Sequence, residues 1–97
     1  MEEVLRIAIQ HYGANSQIDV AVEEMAELIQ ALIKTKRYAL DDDFVIFRRH
    51  VIEEIADVEI MLMQLRIIFS IDESDICKEK DFKLNRLAER VEEEING

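Results

Sequence analysis

The chain has 97 residues, enough for one domain spanning 1–97 and too few for two. Its 12 basic and 22 acidic residues leave a net charge of −10, which argues against nucleic acid or an anionic lipid surface as a partner. There is no proline, glycine occurs only at 13 and 97, and 49% of residues are apolar, a composition that predicts an all-α fold of long helices and short connections.

The first helix is expected over residues 2–12, where Val4, Leu5, Ala8, Ile9 and Tyr12 fall at helical spacing. Gly13 follows as its stop, since glycine takes a positive φ without penalty. Ser16, with Asp19 three residues on, has the form of an N-cap for a second helix running to about Arg37. Its apolar positions are Ile18, Ala21, Val22, Met25, Leu28, Ile29 and Leu32. Asp41-Asp42-Asp43 marks the next boundary, because acids and cap formers suit a helix N-terminus.

The third helix, about 43–70, is unusually apolar. Between Phe44 and Ile71 there are 18 apolar residues in 28, spread around most of the circumference. Such a helix requires cover on nearly every side, and three other helices this short supply only part of it. A homo-oligomer packed through the third helix is therefore expected, against the plainer alternative of an apolar but monomeric central helix. A turn near Asp72–Ser74 leads to a last helix over roughly 75–95, with Phe82, Leu84, Leu87, Val91 and Ile95. Met25, Met61 and Met63 read as core.

The single cysteine, Cys77, cannot form an intrachain disulfide, which favours a reducing, cytoplasmic setting. The start Met1-Glu2-Glu3-Val4 lacks the basic and apolar character of a signal peptide. No charge-free stretch of 18 residues is present, so no membrane span is expected.

Two acidic clusters carry the chemistry: Glu23-Glu24-x-x-Glu27 on the second helix and Glu53-Glu54-x-x-Asp57 on the third. Residues three apart share a helix face. Glu24 and Glu27 share a stripe with apolar Val20 and Ala31, whereas Glu23 lies with Ser16, Asp19 and Gln30 and is expected to be solvated. Glu54 and Asp57 lie along a line with Phe47, Val51, Met61 and Leu65. Four carboxylates on apolar faces must be protonated, paired or bound to a cation. An all-oxygen set suits Mg²⁺, with Mn²⁺ as an alternative, better than zinc. A single Glu-x-x-Glu is ordinarily a solvated helix face; the second pair on an apolar helix is what weakens that explanation.

These residues resemble a known family. Glu23-Glu24-x-x-Glu27, followed after 26 residues by Glu54-x-x-Asp57, is similar to the paired acidic signature of the MazG-like all-α NTP pyrophosphohydrolases. Tyr12-Gly13, Gln17, Leu28-Ile29 and Ala56-Asp57-Val58 sit where that family has similar residues, and Lys83-Leu84-Asn85 with Arg90 resembles its last helix. The resemblance implies a four-helix, MazG-like bundle assembling as a homodimer or homotetramer. It also implies Mg²⁺-dependent cleavage of a nucleoside triphosphate between the α- and β-phosphates. Glu24, Glu27, Glu54 and Asp57 would be the metal ligands and catalytic groups. Gln17, Lys83, Asn85 and Arg90 would contact substrate, although Lys83 and Arg90 serve equally well as solubilising charges paired with neighbouring glutamates. The chain departs from the pattern in lacking a dense basic cluster on the last helix, and nothing in it marks a uracil- or cytosine-specific pocket.

Other readings are a phosphoribosyl-ATP pyrophosphohydrolase-like enzyme and a non-enzymatic helical interaction module. A carboxylate-bridged di-iron bundle is disfavoured because such sites add Glu-x-x-His pairs. Neither His11 nor His50 follows a glutamate by three.

Overall fold

A computed structural model of the chain describes residues 2–38 and 44–97, with only the backbone at 38. It contains four helices in the order α1 (Glu2–Tyr12), α2 (Ala14–Tyr38), α3 (Phe44–Ile68) and α4 (Glu73–Asn96), and no strand among the described residues. The Asp41-Asp42-Asp43 boundary lies outside those residues.

One residue joins α1 to α2. The Gly13 N–H donates to the Ile9 carbonyl at 2.8 Å, and the Gly13 carbonyl accepts from the Gln17 N–H at 3.1 Å. Its φ of +92° reverses the chain where a side chain would be strained. Because Gly13 both closes one helix and opens the next, Ser16 is not the expected cap; it lies inside the first turn of α2.

The α3 end is equally local in origin. Ser70, at φ +52°, donates to the Ile67 carbonyl, and Ile71 reaches back to Arg66 at 2.8 Å. This pair of bonds is the Schellman arrangement that satisfies the last helical carbonyls. The turn therefore comes a few residues earlier than Asp72–Ser74, and α4 begins at Glu73.

The link between α2 and α3 reaches at most roughly 22 Å, whereas each helix is about 37 Å long. Helices that pack along their length on so short a link must run antiparallel, and α2 and α3 form the principal packed pair. The seam between them accommodates close approach through Ala21 and Ala31, each 1% exposed, and Met61 is buried on α3. The α1 helix adds a smaller contact to both through Leu5.

The α4 helix packs against none of the other three to a comparable extent. Within it only Ile76 is partly covered, and Phe82, Leu84, Leu87, Val91 and Ile95 are bare. The single chain is thus a three-helix body with a projecting fourth helix rather than a closed four-helix bundle. A compact protein of 11.4 kDa would expose about 5,800 Å², and this chain exposes 8010 Å². Met63, expected in the core, is among the exposed apolar side chains; it lies on the side of α3 turned away from α2. No helix among the described residues is long and apolar enough to cross a membrane.

Candidate metal centre

The acidic clusters meet where α2 and α3 pack. Antiparallel pairing brings the middle of one helix beside the middle of the other, so Glu24 and Glu27 stand opposite Glu54. One carboxylate oxygen from each of the three falls within 4.8 Å of the others. That spacing is short enough for a single cation to be held by all three.

Burial is unequal within the set. Glu54 is buried and Glu24 half-buried, whereas Glu27 and Asp57 are exposed. The expectation that all four interrupt a buried face is therefore met at the centre and corrected at the edge. A step of three residues turns a helix by about 300°, so Glu27 and Asp57 lie to one side of the seam that Glu24 and Glu54 occupy. Glu23 is exposed, as its polar stripe predicted, and Glu53 pairs with Arg49 at 3.3 Å on the surface.

Two oxygens at the centre lack any partner: Glu24 Oε2 and Glu54 Oε2 are both buried and unbonded. Burial, together with the negative charges of Glu27, Asp57 and Glu54, pushes the Glu24 carboxyl above its ordinary 4.5. Asp57 thus lies close enough to be felt electrostatically by Glu24, although it is outside the tightest trio. Among the described residues, the basic side chain nearest the set is His50, whose Nε2 stands 3.8 Å from Glu54 Oε1, with its side chain 46% exposed. The donor set is all oxygen and acidic, which is the environment that hard divalent cations stabilise.

The other residues singled out in the sequence are not gathered here. Gln17 is buried on α2, two helical turns before Glu24. Lys83, Asn85 and Arg90 are exposed on α4, which does not pack on the α2–α3 seam. Arg86 lies over the Phe82 ring at 5.7 Å, and Cys77 is exposed. A cleft of about 610 Å³ between α1, the C-terminal part of α3 and the α3–α4 turn includes none of the four carboxylates.

No family model, curated protein or solved structure matches the chain significantly. Function is therefore read from the site alone.

One residue escaped the sequence reading. Gln64 is 4% exposed and its Oε1 has no partner. It lies seven residues beyond Asp57 and three beyond Met61, so its stripe position was the available signal.

Proposed function

We propose that this chain is a Mg²⁺-dependent nucleoside triphosphate pyrophosphohydrolase of the MazG-like kind, working as a cytoplasmic homo-oligomer. The observation that carries the reading is the trio Glu24, Glu27 and Glu54, with one oxygen of each within 4.8 Å of the others, beside the unpartnered buried oxygens Glu24 Oε2 and Glu54 Oε2. Mn²⁺ would fit the same oxygen set.

Anionic groups at this density are unfavourable without a cation, and an anionic substrate would be repelled by a chain of net charge −10. A bound divalent cation supplies charge neutralisation on the phosphates and lowers the pKa of a water nucleophile. Glu54 and Glu24 are the anchoring ligands, fixed by burial in the seam. Glu27 and Asp57, on the open side, are placed to complete the ligand set where a triphosphate approaches from solvent. In this reading Lys83, Asn85 and Arg90 meet the substrate only when α4 is brought against a site by assembly.

The test is a panel of ribo-, deoxy- and damaged nucleoside triphosphates, with phosphoribosyl-ATP included, incubated with Mg²⁺ and scored for pyrophosphate against orthophosphate. Pyrophosphate with the matching monophosphate is expected. Silence across the panel, with no thermal shift on adding Mg²⁺, would leave a non-enzymatic helical module as the better description.

A further inference from the structure

The α3 helix has a second face that α2 does not use. Taking Val45 as position a of a heptad, positions a and d are Val45, Arg48, Ile52, Ile55, Glu59 and Leu62. The residues that meet α2, among them Glu54 and Met61, lie on average about a third of a turn around the helix from this stripe. All six side chains of the stripe are exposed, Ile52 at 39%, Ile55 at 42% and Leu62 at 41%. Arg48 and Glu59 have no ion-pair partner among the described residues. The groove against α1 begins beyond the stripe, at Met63, Arg66 and Ile67.

The stripe is complementary to itself when reversed. In an antiparallel pair related by a two-fold axis, facing residues have a constant sum of numbers, and here that sum is 107. Ile52 then faces the partner's Ile55, Val45 faces the partner's Leu62, and Arg48 faces the partner's Glu59. Two-fold symmetry repeats each pair, so six layers cover residues 45–62, a length of roughly 25 Å at 1.5 Å per residue. Sliding the register by one heptad either way sets an isoleucine against Glu59 or Arg48. A parallel pair sets Arg48 on its own copy and Glu59 likewise. Only the antiparallel register matches charge with charge and apolar with apolar.

We infer that α3 pairs with α3 of a second copy across this stripe, as an isologous antiparallel dimer with Ile52 and Ile55 at the axis. A standard interface removes about 800 Å² from each partner. The chain exposes more than twice that amount beyond what a compact protein of its mass would show. Knobs-into-holes packing at positions a and d accommodates such a pair at ordinary interaxial distance. The inference deepens the homo-oligomeric part of the proposed function and stands whether or not the chain hydrolyses nucleotides.

The experiment is sedimentation equilibrium of the full chain in EDTA, with far-UV circular dichroism to verify helicity. The unaltered chain is expected to be dimeric or a dimer of dimers. Arg48→Glu and Glu59→Arg each place two like-charged pairs across the axis and should weaken association by about tenfold or more. The double variant restores opposite charges and should associate like the parent. As a second readout, Ile52→Cys with Ile55→Cys in a Cys77→Ser background should form a disulfide-linked dimer on mild oxidation. In the same background, Val45→Cys with Ile55→Cys should not, because those positions stand at different levels. A monomeric parent, single reversals that associate normally, or a double variant that stays dissociated would each overturn the pairing. Neither readout uses metal or nucleotide, so its failure is separable from failure of the hydrolase reading.

Discussion

Replacing Glu54 with glutamine should change stability in opposite directions with and without Mg²⁺. In EDTA, above the carboxylate titration range, Glu54 faces Glu24 and Glu27 at oxygen separations within 4.8 Å. Two unit charges at that distance repel by roughly 3.5 kcal/mol at an effective dielectric near 20. The Glu27 contribution is smaller, because that residue is exposed and screened by salt. Against this, the glutamine amide is left in a buried position with incomplete hydrogen bonding, at a cost of about 1–3 kcal/mol. The net expectation is a gain of about 1–2 kcal/mol, which for a domain of this size raises Tm by roughly 5–15 °C. With Mg²⁺ at 100 times its Kd, the parent gains about 2.7 kcal/mol, and the variant, lacking the most buried anionic ligand, should gain far less. Differential scanning fluorimetry at fixed protein concentration, with matched EDTA and Mg²⁺ series, reads both effects. The two melting curves should therefore exchange order between the two conditions, and turnover should be lost in the variant. A variant less stable than the parent in EDTA, with an undiminished Mg²⁺ shift, would refute the reasoning.

Three further outcomes follow from named groups. Glu24 binds its proton more tightly folded than unfolded, because burial and three neighbouring acids raise its pKa. Its stabilising contribution is fully present below the ordinary 4.5 and is lost as pH rises through the raised value. Denaturant titrations of the metal-free parent and Glu24→Gln should diverge across that window, and parallel profiles would contradict the assignment. Gly13→Ala should cost about 1–2 kcal/mol through its left-handed backbone alone, since a Cβ there meets nothing within 4 Å; an unchanged unfolding midpoint would show the turn to be adaptable. Gln64→Met should be neutral or stabilising, as it removes a buried carbonyl oxygen with no partner, and a loss of about 1 kcal/mol or more would reveal a bond that Gln64 makes in solution.

Much of the architecture was legible along the chain. Helix periodicity, the absence of proline and the single Gly13 between two apolar patterns were enough for four helices with nearly correct bounds, because these signals are local and act through backbone sterics. The acids could be assigned to faces by their stripes, so Glu23 as solvated and Glu24 and Glu54 as inward were accessible from spacing. Boundaries shifted where one residue did two jobs, as Gly13 did in displacing Ser16 from its cap, or where a backbone motif set the end, as at Ser70.

Other properties depended on how the helices came together. Spacing alone does not say whether Glu24 stands beside Glu54, since that depends on the rotation and level at which α2 meets α3. Close packing at Ala21 and Ala31 sets both, and the same rotation leaves Glu27 and Asp57 at the rim. Nor does periodicity tell which part of an apolar surface belongs to the chain's own core. Burial is a relation between surfaces, so the exposed stripe of α3 and nearly all of α4 could be recognised as uncovered only once the other helices were in place.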